Sequence, residues 1–138
     1  MNMKSFKEYI SEIRLRGFGG DKKRAKNAVE EFLRKTKPHP IDDKASIVGN
    51  AVMHISPSSE GIHVHDIYSL DKGSGAGTKA MEFLISIADK HGVKIHLLAH
   101  GYSDTSSSDL RRWYSRFDFV SKQNDPSVMV RIPKYQRI

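Results

Sequence analysis

A chain of 138 residues and 15.6 kDa, with 38% hydrophobic and 28% charged residues, suits one domain around one core. No apolar run approaches the ~20 residues of a membrane span. Charges at Lys4, Lys7, Glu8 and Glu12 argue against a secretory leader, and the lack of cysteine excludes disulfides, thiolate metal sites and a cysteine nucleophile. A cytoplasmic protein is the expectation, with no membrane contact. The net charge of +7 is uneven: residues 1–40 hold eleven Lys/Arg against five Asp/Glu, the remainder twelve against eleven. The basic surplus reads either as a solvated helical face or as a surface for nucleic acid or another polyanion.

In chain order, Phe6, Ile10 and Ile13 give residues 5–15 the spacing of a short amphipathic helix. The stretch GFGGD (17–21) breaks it, and Asp21 is a candidate cap for a second helix over 22–35. That helix sets Ala25, Ala28, Val29, Phe32 and Leu33 on one face and stops at KPHP (37–40). The period then changes. SIVGNAVMHI (46–55) and GIHVHDIYSL (61–70) are rich in β-branched residues, and SPSSE between them predicts a hairpin turn. After a glycine-rich loop, Met81, Leu84, Ile85 and Ala88 mark a helix ending at Gly92. VKIHLLA (93–99) reads as a buried strand, the cluster SDTSSSD (103–109) as loop and cap, and LRRWYSRF (110–117) as a short helix. DFVSK and SVMVRI close the chain as antiparallel strands around QNDP. The order is α-α-β-β-α-β-α-β-β, with a basic helical segment (1–40) ahead of an α/β core (41–138).

The loop LDKGSGAGTKAM (70–81) puts three glycines in five positions before a helix, a pattern that brings backbone N–H groups close to a phosphate. It is not a P-loop: only three residues separate Gly73 from Gly77, and Thr78-Lys79 is reversed. It is not a dinucleotide fingerprint either, because Thr stands at 78 and no second βαβ unit follows.

A strand, this loop, a helix, a parallel strand and a short helix ending in Trp113-Tyr114, followed by Asp118-Phe119, together resemble the GNAT acetyltransferase family over residues 46–133. The family's acetyl-CoA motif (Gln or Arg, two free positions, Gly, one free position, Gly or Ala) is similar to Lys72-Gly73-Ser74-Gly75-Ala76-Gly77, with Lys replacing the first residue. Its second motif, Leu-Tyr then Gly-Phe, is similar to Trp113-Tyr114 and Asp118-Phe119, with Asp replacing Gly. The resemblance implies a GNAT-like α/β fold with a mixed central sheet and an N-terminal part shortened to two helices. Only one strand would precede the loop-bearing strand, so the acceptor side would be trimmed or completed by a second chain, a homodimer.

The implied activity is transfer of an acetyl group from acetyl-CoA, as cosubstrate, to a primary amine of a small molecule or a protein. The implied cofactor contacts are Ile67, Tyr68 and Ser69, pairing with pantetheine, and Lys72, Gly73, Ser74, Gly75, Ala76, Gly77 and Thr78 around the pyrophosphate. The thioester would lie near Asp66 and Ile67. Tyr114 would return a proton to the departing thiolate; its other reading is a packing residue beside Trp113.

His63 and His65 share one strand face and are the candidate bases. Arylalkylamine-type members carry two strand histidines, of which His63 matches one in ungapped register and Gly61 stands at the other. Histone-type members have a glutamate here, and Glu60 is one residue out of register. The same two histidines also read as a metal pair lacking a third ligand, or as strand surface. The competing class of function is an inactive CoA-binding or interaction protein. A local resemblance of MKSFKEYISE (3–12) to the cleaved targeting peptides of tailed-phage head proteins, satisfied by Ile10-Ser11-Glu12, adds the host cytoplasm or the virion as locations. An ordinary helix start accounts for it equally.

Overall fold

The computed structural model describes residues 21–71, 73–100 and 106–134. The expected first helix and the Ile10-Ser11-Glu12 motif lie outside the described residues. A helix, α1, runs through residues 21–34 and buries Ala25, Ala28, Val29 and Phe32 of the expected apolar face, but Leu33, expected with them, is 50% exposed. Asp21 is already helical, and its carboxylate pairs with Arg24 one turn on.

Among the described residues seven strands form one sheet: β1 (Lys37–Pro38), β2 (Ser46–Val48), β3 (Ala51–Ser58), β4 (Gly61–Ser69), β5 (Ile95–Leu98), β6 (Val120–Lys122) and β7 (Asp125–Arg131). Their spatial order is β1-β2-β3-β4-β5-β7-β6, and every neighbouring pair is antiparallel except β4 and β5. That parallel pair needs a crossover, which α2 (Ala76–His91) supplies. A third helix, α3 (Ser107–Ser115), follows β5. Ser106 caps it by accepting the Asp109 N–H at 3.0 Å, so the expected cap lies in the serine cluster.

The expectation of a single strand ahead of the loop-bearing strand is wrong. Among the described residues three strands precede it: Lys37–Pro38 adds one, and the run 46–55 folds back on itself at Gly49, whose φ of 62° suits a tight turn, making two more. SPSSE is also mostly strand: β3 continues to Ser58 and turns only at Ser59-Glu60. Lys37–Pro38, expected only as a helix stop, pairs with Ile47 and Ser46 at the sheet edge, a position that tolerates proline.

The core lies on one sheet face. Met53, Ile55, Ile62, Val64, Ile95, Leu97 and Met129 meet Ala80, Met81, Leu84 and Ala88 of α2 and Phe32 of α1. Two polar clamps fasten the helices. Buried Glu31 of α1 accepts from Lys35, Lys90 and His91 at 2.6, 3.0 and 2.7 Å. Those three partners, Lys35 foremost, hold its carboxyl far below the usual range. Buried Arg131 of β7 grips Asp89 of α2 through two bonds of 2.8 and 3.2 Å and donates Nε to the Phe117 carbonyl at 3.0 Å. Burial alone would raise the Asp89 carboxyl; Arg131 and the Lys134 N–H outweigh it and lower it.

The opposite face carries His54, Ser56 and Ser58 of β3, His63 and His65 of β4, and His96 of β5, none of them fully buried. No helix among the described residues is long and apolar enough to cross a membrane.

Candidate active site

Residue 64 is where β4 and β5 part. Ile62, His63 and Val64 pair with Ile95, His96 and Leu97, but beyond Val64 the strands share no further pairs. Ala99, just after β5, stays with β7, its N–H bonding to the Ser127 carbonyl at 2.7 Å, while β4 runs on to Ser69, paired among the described residues only with β3. Residues Ile67, Tyr68 and Ser69 therefore present a strand edge toward an opening wedge. A register shift between His54 and Ile55 leaves His65 as an extra residue in β4, a bulge just before this edge.

At the end of β4 the glycine loop turns the chain into α2. Gly73 and Gly75 adopt φ of 80° and 77°, where side chains are strained. The Ser74 hydroxyl and N–H both donate to the Asp71 carbonyl, at 2.7 and 3.3 Å, closing the turn. Gly75 occupies the N-cap position of α2, no side chain caps the helix, and its first turn holds no acidic residue. The helix start thus lacks the side-chain acceptors that usually satisfy its N–H groups, leaving an electropositive end for an anion. Lys72 lies outside the described residues.

Loop, strand edge and α3 enclose one cleft of about 290 Å³, lined by Ile67, Tyr68, Ser69, Gly73, Gly75, Ala76, Gly77, Thr78, Leu110, Trp113 and Tyr114. Of the described residues expected at a cofactor site, only Ser74 is missing from this wall; its hydroxyl is used inside the turn. The Trp113 ring lies over the first turn of α2; a Cβ at Gly77 would sit 3.6 Å from it, an ordinary van der Waals contact.

Tyr114 is 6% exposed and packs its ring 5.6 Å from that of Phe119 and 5.1 Å from that of Trp113. Packing residue and cleft residue are thus the same side chain. The Asp118-Phe119 motif also has a physical reason. Asp118 adopts φ 73°, a conformation that favours glycine and admits aspartate, and this turn drops Phe119 into the core.

His63 and His65 do lie together on the open face, and two further histidines join them. The rings of His54 and His65 stack at 4.2 Å, His63 meets His65 edge-on at 4.3 Å, and His63 lies 4.7 Å from His96. His63 Nδ1 is 3.0 Å from His96 Nδ1, and Ser56 Oγ is 2.7 Å from His65 Nε2. Burial, with the neighbouring imidazoles adding to it, pushes both His63 and His65 below the ordinary imidazole value, and Lys44 adds to the effect at His65. Burial lowers His96 too, against an opposing pull from Glu60.

Sequence reasoning missed His54 and His96. Their signal was strand alternation: each is a polar residue set between buried neighbours, Met53/Ile55 and Ile95/Leu97. Among the described residues, no group of three or more side chains is arranged to hold a metal ion. At Gly61 a Cβ would lie 2.3 Å from the Lys94 carbonyl oxygen, so no imidazole fits there and His63 alone of that pair of positions carries one.

A larger cavity of about 650 Å³ opens at the other end of β4 and β5, between Arg24, Glu60, Lys94 and Lys122. It shares no residue with the cleft, but His96 lines it, so it borders the histidine face.

No protein-family model and no curated protein matches this sequence. Among solved structures, the crystal structure of the anti-CRISPR protein AcrVA5 is similar in fold, with a TM-score of 0.55 at 21% identity. The similarity covers 61% of this chain and 92% of that one.

Proposed function

We propose that this protein is a GNAT-like, acetyl-CoA-dependent N-acetyltransferase acting on a primary amine. The observation that carries the reading is the coincidence, in one cleft, of an uncapped helix start, a strand edge unpaired among the described residues and a buried tyrosine. An adenine nucleotide carrying pantetheine requires these same features in this sequence: donors for pyrophosphate, an edge for an amide-bearing arm, and a proton source where the arm ends. The cosubstrate supplies a thioester whose carbonyl carbon takes the amine and whose sulfur leaves as a thiol.

The chain's own residues divide the remaining tasks. Backbone N–H groups from Gly75 to Thr78 bind the pyrophosphate; the glycines allow the approach and the helix end supplies the field. The edge of Ile67–Ser69 orients the arm and offers an N–H toward the developing oxyanion. Tyr114 protonates the leaving sulfur. On the opposite face a neutral imidazole takes the amine's proton, and the lowered basicity of His63 and His65 keeps them neutral near pH 7. His63 precedes Ile67 by four residues, roughly 13 Å of extended strand, so proton transfer to it runs through water. The neighbouring cavity gives the acceptor a route to that face.

The test incubates the protein with acetyl-CoA and a panel of amines, peptides and lysine-bearing proteins, reading free thiol together with the acceptor's mass. Thiol release matched by acetylation of an acceptor supports the reading. Tight CoA binding with no turnover across the panel would favour a binding protein instead.

A further inference from the structure

The hydroxyl of Ser58 has more neighbours than protons. It lies 3.0 Å from the Gly61 carbonyl, 3.1 Å from the Glu60 N–H and 2.9 Å from His96 Nε2. A carbonyl only accepts and an amide N–H only donates. The single hydroxyl proton therefore goes to Gly61 O, since two oxygens facing each other without a proton would repel. The hydroxyl oxygen then accepts from Glu60 N–H and from His96, which must carry its proton on Nε2. A neutral imidazole protonated at Nε2 has a bare lone pair at Nδ1. His96 Nδ1 faces His63 Nδ1 at 3.0 Å, so His63 must donate there and hold its own proton on Nδ1. Its Nε2 is left with the lone pair, since the bond to His96 is made at Nδ1.

We infer that Ser58 and His96 act as positioning residues that lock His63 in its Nδ1–H tautomer, making His63 Nε2 the proton-accepting atom of the open sheet face. The chain Gly61–Ser58–His96–His63 crosses β3, β4 and β5. It selects the tautomer that a free imidazole populates less. The proton taken at Nε2 comes from an ammonium group and leaves to solvent; no other bond changes. A proton on His63 is disfavoured first by burial and then by the groups that face it, His65 from its own strand, His96 from β5 and His54 from β3. Lys44 near His65 and Lys122 near His96 add positive charge, and Glu60 near His96 opposes it. The role as acceptor of a substrate proton rests on the acetyltransferase reading; the tautomer itself does not.

The experiment is a two-bond proton–nitrogen NMR correlation on the ¹⁵N-labelled full chain, without acetyl-CoA, above the imidazole titration range. The expected result is a protonated Nδ1 and bare Nε2 for His63, with the reverse for His96. A protonated Nε2 on His63 in the wild-type protein overturns the inference. Ser58→Ala should shift His63 toward the Nε2–H form, and Ser58→Thr, which keeps the hydroxyl, should restore the wild-type pattern. Unchanged tautomers in Ser58→Ala would remove Ser58 from the chain of control. Because no cosubstrate is present, these outcomes stand apart from any failure to bind or transfer acetyl groups.

Discussion

The glycine loop and the histidine face both belong to β4, yet they are assembled in different ways. The loop is local: Gly73, Gly75 and the first turn of α2 lie within six residues, and their geometry follows from backbone preferences alone. The histidine face is built from strands up to 42 residues apart in sequence, joined by pairing register. A feature that needs only neighbours in sequence can be read from spacing, whereas one that needs a register requires the sheet.

The sharpest way to break this comparison is to disable the loop without touching the sheet. In Gly75→Val a β-branched residue is forced to φ 77°, a strain of ~1–3 kcal/mol. Acetyl-CoA binding by calorimetry should disappear, while circular dichroism keeps the fold and the histidine resonances keep their positions. Binding at wild-type strength would show that the loop's backbone is not the anion site.

A smaller effect is expected at the cleft's inner wall. Tyr114→Phe should lower turnover by ~10²- to 10⁴-fold, the usual contribution of a general acid, with acetyl-CoA affinity near wild type. The ring still packs on Phe119 and Trp113, so thermal stability serves as the control. An undiminished rate would make the tyrosine a packing residue only.

The opposite face should respond through pH. A depressed imidazole is neutral, and able to accept a proton, down to a lower pH than the ordinary ~6.5. Activity should therefore rise with pH along a limb below that value, and His63→Ala should remove or displace the limb while acetyl-CoA affinity stays unchanged. The same rate and profile in the double variant His63→Ala, His65→Ala would assign the limb to the amine itself.

The mildest change lies far from both regions and serves as their control. Glu31 is a depressed carboxylate. Its contribution to stability is present above the unfolded value of ~4.3 and is lost as pH falls through its folded value. Glu31→Gln should lower the melting temperature at neutral pH and less in acid, with the pH limb and acetyl-CoA affinity unaltered.

The helices were legible because Ala28, Phe32, Met81, Leu84 and Ala88 recur at helical spacing, and Gly92 stops α2 with φ 66°. The cleft of β4, the glycine loop and α3 was legible because its residues are mostly contiguous, and because Tyr114 and Phe119, five residues apart, pack together across the turn at Asp118. The split of residues 46–55 into two strands was not. Its apolar run is continuous through Gly49-Asn50, and only the pairing of Ile47 with Val52 reveals the hairpin. His96 escaped for a related reason: its partners Ser58 and His63 are 38 and 33 residues away, and nothing local distinguishes it from a half-exposed strand residue.

The central claim is that the cleft between β4, α2 and α3 takes acetyl-CoA. Native mass spectrometry of the full chain titrated with acetyl-CoA tests it most directly. The account predicts a complex of one acetyl-CoA per chain that is lost in Gly75→Val and retained in Tyr114→Phe and His63→Ala. A wild-type protein that stays free at saturating acetyl-CoA, or a complex that survives Gly75→Val unchanged, would contradict it.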